Sequence, residues 1–378
     1  MGQPLGMLEK GRVLAGRYEL ERLLAQGGMG EVWVARHRLL DVSVAVKLMS
    51  RKTRTNSTLR ARFEREAKVG ARLRTPHVVQ VLDYDVDDET PFLAMELLEG
   101  QDLSAVGKAR PRFAFAEAVD LLAQAARGLA AAHEVGIIHR DVKPSNLFLA
   151  RVSAGQEIVK VLDFGIAKIP DEDKLTRTNV VLGSPAYMSP EQVMAKPIDA
   201  RSDVWSLGVV AFWMLAGELP FAGPNATAVS ERIVKGDRPS LGDLVRGLPE
   251  ELDDIFERAL ALDPKERFAS TLELAEELTR LDRAYPDVGA GESVQDLPTD
   301  RLRPIEADSE PETKTYAVKT ERLFRARGDT VRMPLAASRH EPTPRRASLE
   351  SNRAPAALWL VPLAALVLVI VGLLVLLR

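Results

Sequence analysis

The chain has 378 residues, room for one large or two ordinary domains, and at 46% hydrophobic composition it can bury a sizeable core. It contains no cysteine, which excludes disulfides, thiolate catalysis and cysteine-ligated zinc. A formal net charge of −3 gives no global attraction to nucleic acid, so no nucleic-acid partner is expected, and five scattered histidines without the H-E-x-x-H spacing leave a metal hydrolase without support.

Residues 13–98 read as a mostly β unit with one helix. The runs 18–24, 32–37 and 42–49 have strand character, 58–73 is helical with Phe63, Val69 and Leu73 among its apolar positions, and 78–84 and 92–96 are further strands. Residues from about 116 to 282 are mainly helical: 118–134 is rich in Ala and Leu, 203–216 is apolar with few breaks, and 252–262 and 271–280 complete the set. From 286 the composition changes. Residues 286–312 carry many acids and prolines, 320–353 is rich in arginine, and the whole of 286–353 is expected to be a disordered linker. As a flexible coil it reaches roughly 40–50 Å. Its arginine-rich half either lies on anionic headgroups or is simply solvated.

Residues 354–377 form an uninterrupted apolar run that includes Trp359 and two prolines, followed by Arg378. At about 1.5 Å per residue such a helix crosses a hydrocarbon core roughly 30 Å thick. Arg345, Arg346 and Arg353 precede it, and the positive-inside rule puts that side in the cytoplasm. Residues 1–11 hold no long apolar run, so no signal peptide is expected. The expectation is a single-pass, tail-anchored membrane protein with its N-terminal domain in the cytoplasm.

The chemistry concentrates in His139-Arg140-Asp141-Val142-Lys143-Pro144-Ser145-Asn146, followed by Asp163-Phe164-Gly165. Phosphoryl transfer asks for a group near the attacking hydroxyl, cations on the phosphates and metal ligands. Asp141 can accept a hydroxyl proton. Lys143, two residues on in an extended loop, points the same way and can neutralise a phosphate. Asn146 and Asp163 are hard oxygen ligands of the kind Mg²⁺ prefers. Further upstream, Leu24-Ala25-Gln26-Gly27-Gly28-Met29-Gly30-Glu31-Val32 lies between two strand-like runs and ahead of Val44-Ala45-Val46-Lys47. Glycine lets backbone approach phosphates because no Cβ intervenes.

These motifs, in this order, resemble those of the bacterial eukaryotic-like (Hanks-type) serine/threonine protein kinases over about residues 18–281. The resemblance implies an α+β, two-lobed kinase fold over 13–285, with a β-rich lobe at 13–98 and a helical lobe at 99–285. It implies ATP and Mg²⁺, with Mn²⁺ as an alternative, protein substrates, and compatibility with a kinase-domain homodimer. Leu24, Gly27, Gly28, Gly30, Val32 and Ala45 would surround the nucleotide, with Lys47 on its α- and β-phosphates. Ala25 stands where the family has the first loop glycine, and an altered loop conformation or nucleotide affinity is expected from it. Glu66 is expected to orient Lys47, while Glu64 faces elsewhere. Met95 resembles the gatekeeper, and the backbone of Glu96 and Leu97 would pair with adenine. Asp102 is placed either for the ribose or for the N-cap of a helix.

The same resemblance makes 163–191 an activation segment. Thr176 and Thr178 lie in its variable middle, where phosphates would pair with Arg140. Ser184 would hydrogen-bond Asp141 and Lys143, Glu191 would pair with Arg267, and Asp203 would brace the catalytic loop. Ser189 stands where the family has alanine. A catalytically dead scaffold is the rival reading. Such proteins usually lack the lysine or one of the two aspartates, whereas Lys47, Asp141 and Asp163 are all present.

Overall fold

The computed structural model describes residues 9–27, 30–110, 112–152, 155–164, 185–286 and 288. Gly28, Thr176, Thr178, Ser184, the 286–353 linker (apart from 286 and 288) and the 354–377 run lie outside them. Among the described residues no helix is long and apolar enough to cross a membrane.

The first lobe is an antiparallel sheet of β1 (Val13–Leu14), β2 (Tyr18–Gly27), β3 (Gly30–His37), β4 (Val42–Met49), β5 (Val81–Asp87) and β6 (Thr90–Glu96), in the order β1-β2-β3-β4-β6-β5. Side chains alternate across a strand, and β4 uses both faces. Val44, Val46 and Leu48 enter one core with Trp33, Phe92 and Ala94. Met49 belongs to the other, where it meets Phe63 and Ala67. Those two residues lie on α2 (Ser57–Gly70), which follows the short α1 (Arg51–Arg54). The side chain of Asn56 caps α2 by accepting from the Leu59 N–H at 3.1 Å. The alternation puts Lys47 on the face that looks at α2. At the sheet's outer edges, Arg12 reaches Asp87 at 2.9 Å and Arg17 reaches Asp83 and Asp85 at 2.8 and 2.6 Å. These pairs draw β5 toward β1 and β2. The Tyr18 hydroxyl donates to Asp83 at 3.0 Å, and burial together with that carboxylate pushes its pKa up to about 12.

The second lobe is built on α4 (Phe115–Glu134), which follows β7 (Gly100–Asp102) and α3 (Leu103–Ala109). The hairpin β8 (Leu147–Arg151) and β9 (Glu157–Val161) completes a three-stranded sheet with β7. Then come α5 (Pro190–Val193), α6 (Arg201–Ala216), α7 (Ala226–Lys235), α8 (Leu241–Leu244), α9 (Glu251–Ala259) and α10 (Thr271–Ala284). Helix α6 is apolar on every side and buried almost throughout, as a helix in the centre of a lobe must be. Leu122, Leu129, Phe212, Phe256, Leu274 and Leu278 belong to the same core.

One predicted strand moves. The run expected at 78–84 forms its strand at Val81–Asp87. Val78 and Val79 turn instead to the other lobe, where Val78 bridges Val161 and the Val79 N–H donates to the Val161 carbonyl at 3.1 Å.

Candidate active site

The hairpin β8–β9 assembles the pieces. Leu147 pairs with Val161, and the Leu162 N–H donates to the Asn146 carbonyl at 2.9 Å, so Asn146 before the hairpin and Asp163 after it end side by side. Asp163 adopts φ +41°, a left-handed conformation that non-glycine residues adopt at a cost of roughly 1–3 kcal/mol. Arg140, just before Asp141, is also left-handed, at +65°.

Asp203, fully buried at the start of α6, holds the catalytic loop in that shape. Its Oδ2 accepts the His139 N–H at 2.7 Å, its Oδ1 accepts the Arg140 N–H at 2.9 Å, and the His133 Nε2 lies 2.7 Å from Oδ2. His139 is equally buried. Its Nδ1 accepts the Asp141 N–H at 3.2 Å, so Nε2 carries the ring proton and donates it to the Leu162 carbonyl at 2.9 Å. Its ring packs on Phe164 at 4.9 Å. The histidine therefore ties the loop bearing Asp141 to the residue before Asp163. Sequence reasoning placed no role on it, nor on His133.

Asn146 donates Nδ2 to the Asp141 carbonyl at 2.8 Å and to Asp141 Oδ2 at 3.2 Å. Lys143 Nζ lies 3.7 Å from the same Oδ2. Lys47 Nζ lies 2.6 Å from Glu66 Oε1 and 2.8 Å from Asp163 Oδ1. Burial alone would lower the pKa of this lysine, but Asp163 and Glu66 outweigh it and raise it above its ordinary value. Glu64 faces outward and pairs with Lys68 at 2.6 Å. Asn146 and Asp163 suit a magnesium ion. Mg²⁺ is typically bound through one or two carboxylates plus substrate phosphates, and no larger cluster of acids and histidines occurs among the described residues.

Above these groups, the described nucleotide-loop residues Leu24, Gly27, Gly30 and Val32 fall on β2 and β3. Val32 pairs with both Ala25 and Lys47, and Ala45 pairs with Met95, so the loop, β4 and β6, which leads into the hinge between the lobes at Glu96 and Leu97, share one register. Ala25 stays in the ladder, beside a register shift at Leu23. Gly30 must be glycine, because a Cβ there would lie 1.8 Å from the Leu48 carbonyl oxygen. Glu96 ends β6, with Leu97 next to it. Asp102 settles as the N-cap of α3: it is buried, Oδ1 accepts the Ala105 N–H at 2.9 Å, and burial raises its pKa. Its carboxylate is engaged at the helix end.

Arg267 clasps Glu191 through two bonds of 2.8 Å, both residues buried. Ser189 caps α5 in a reciprocal capping box with Gln192, and Gln192 Nε2 donates to the Arg140 carbonyl at 2.9 Å. The serine in place of alanine thus helps tie α5 to the catalytic loop, a link the sequence did not reveal.

Two lobes, a lysine held between a helix glutamate and an aspartate, and a loop that joins an aspartate to an asparagine define a protein kinase. The model of the protein kinase domain matches residues 18–279, and the chain belongs to that family. It is similar to the serine/threonine-protein kinase PknA of Mycobacterium tuberculosis, 38% identical over 265 residues, covering 69% of this chain and 60% of that protein. A probable serine/threonine-protein kinase of Clostridium perfringens is 35% identical over 271 residues, covering 72% of this chain and 39% of that one. The chain therefore spans less than two thirds of the length of these relatives. The crystal structure of the Mycobacterium tuberculosis PknI kinase domain aligns with a TM-score of 0.58 at 29% identity, over 73% of this chain and all of that domain.

Proposed function

We propose that this protein is a serine/threonine protein kinase that transfers the γ-phosphoryl group of ATP to protein hydroxyls. The observation that carries the reading is Lys47, held at once by Glu66 and Asp163, beside the joined pair Asp141 and Asn146. Lys47 neutralises the α- and β-phosphates. Asp141 orients the acceptor hydroxyl and takes its proton as the new O–Pγ bond forms and the bond from Pγ to the β,γ-bridging oxygen breaks, releasing ADP, and Lys143 neutralises charge on the phosphoryl in flight. Asn146 and Asp163 would hold Mg²⁺, which would supply positive charge on the phosphates; Mn²⁺ suits the same ligands. The backbone of Glu96 and Leu97 presents the adenine contacts.

Regulation by phosphorylation at Thr176 and Thr178 is part of the proposal. It is supported by a cavity of about 310 Å³ lined by Arg65, Lys68, Arg72 and Arg140. Among the described residues Arg65, Arg72 and Arg140 have no carboxylate at ion-pair distance. Burial, and then the charge of Arg65, lower the pKa of Arg140, as fits a site short of an anion.

The apolar run 354–377 is proposed as a membrane anchor at the end of the 286–353 linker, with the kinase domain 13–285 in the cytoplasm. The support is the length of the run and the arginines before it. Substrates are then proteins near or in the membrane, and a homodimer of the kinase domain is compatible with this arrangement. The test is incubation with ATP and Mg²⁺ followed by phosphosite mapping. Phosphoserine and phosphothreonine, with Thr176 and Thr178 modified, are expected. Phosphotyrosine alone, or an unmodified 163–191 segment, would contradict the respective part.

A further inference from the structure

Lys160 is a charged residue on a strand built for burial. It lies on β9 between Val159 and Val161, both fully buried, and its own side chain is only 10% exposed. Ile158 and Leu162, which share its face by alternation, belong to the cluster of Val79, Phe148, Met95 and Leu98, so this face of β9 packs against the hinge. Into that apolar contact Lys160 extends its ammonium to Glu96 Oε1, at 2.6 Å.

Glu96 is clamped from a second side. Its Oε1 also accepts the Gln80 N–H at 2.7 Å, while its own N–H donates to the Gln80 carbonyl at 3.0 Å. Backbone and side chain of one hinge residue are thus both held. Val79, the neighbour of Gln80, bonds in turn to Val161, the neighbour of Lys160. The result is a closed circuit from hinge to Gln80 to β9 and back through the ion pair.

Apolar side chains of similar size would join these segments about as well, because desolvation offsets much of the attraction in a buried ion pair. What the ion pair adds is a fixed separation. Lys160 lies three residues before Asp163, on the strand that delivers that carboxylate to Lys47. Glu96 lies where the adenine contacts are proposed.

The geometry points to Lys160 as a positioning residue for the nucleotide: through Glu96 it sets the hinge at a fixed distance from the phosphate end of the site at Asp163. The inference rests on the ATP reading above.

The experiment uses the full chain as wild type, K160M, K160R, E96Q and E96Q/K160M, with KM for ATP and kcat at saturating peptide, ADP affinity by calorimetry, and a melting curve for each. K160M should raise KM for ATP and the ADP Kd about tenfold while changing kcat less than about twofold. K160R should stay near wild type. E96Q keeps an acceptor for Gln80 and should weaken nucleotide binding about threefold; it decides the matter should K160M not fold. The double variant should be no worse than K160M alone. Unchanged ATP and ADP affinity in K160M or E96Q would overturn the inference. So would additive effects in the double variant, a fall in kcat alone, or a rise in kcat with KM unchanged, which would make the pair a restraint on lobe motion. Wild-type protein that binds no nucleotide would instead overturn the ATP reading, and this inference with it.

Discussion

The ammonium of Lys47 lies 2.8 Å from Oδ1 of Asp163, a residue 116 positions further along the chain and carried by the other lobe. The pair exists because β4 turns Lys47 toward α2 while the β8–β9 hairpin delivers Asp163 from below, and Glu66 holds the lysine from the third side at 2.6 Å. Positive charge is thereby fixed in place before any phosphate arrives, which is how preorganised electrostatics lower a barrier without reorganisation at the moment of reaction.

Lys47→Met should therefore lower kcat by about 10²-fold or more. The same variant should also melt below wild type, because it removes the cation shared by the Glu66 and Asp163 carboxylates and leaves both acids in place. Steady-state kinetics and a thermal melt check the two halves. A variant with near-normal kcat would remove Lys47 from the mechanism.

Asp203→Ala should act on stability as much as on rate. It leaves the N–H groups of His139 and Arg140 and the ring of His133 without their shared acceptor inside the lobe. A loss of about 3 kcal/mol or more is expected, at about 1–3 kcal/mol for each buried polar group left unpaired. Denaturant unfolding measures it. Without the brace, the left-handed Arg140 relaxes and Asp141 loses its place, so kcat should fall as well.

The Glu191–Arg267 pair predicts a particular acid sensitivity. Burial alone would raise the Glu191 pKa, but Arg267 and Ser202 prevail and hold it below the ordinary value of 4.5. A carboxylate with a depressed folded pKa contributes stability that is fully present above its unfolded value and is lost as pH falls through the folded one. Glu191→Gln should cost about 3–5 kcal/mol at neutral pH, because it leaves Arg267 buried and uncompensated. Urea unfolding of both proteins at about pH 7 and at points below about pH 4.5 should show the gap between them shrinking as acid protonates the wild-type carboxylate. A gap that stays constant or widens would contradict this.

Much of the site was legible because its residues sit in short, contiguous motifs. Asp141, Lys143 and Asn146 fall within one loop, and the period-2 alternation of β4 identifies the face on which Lys47 lies. The contrast between Glu66 and Glu64 follows from helical geometry, since residues two apart point to different sides of α2. What could not be read depends on long-range pairing. Val78 and Val79 look like the start of a strand, yet they bond across to Val161, which no local pattern encodes. His139, Gln192 and the Lys160–Glu96 pair gain their roles only after distant segments have packed. Asp102 illustrates competition for one side chain: an aspartate at a helix start satisfies the orphan N–H groups nearest to it.

The most direct test of the central claim is phosphate incorporation from γ-labelled ATP, with Mg²⁺, by wild type and Asp141→Asn at equal concentration. Asn146 and Lys143 remain in the variant, and its fold should be retained because the substitution is isosteric. Label in wild type, with incorporation in the variant reduced about 10²-fold or more, is the predicted result. Equal incorporation by both proteins, or none by either under conditions where both bind nucleotide, would contradict it.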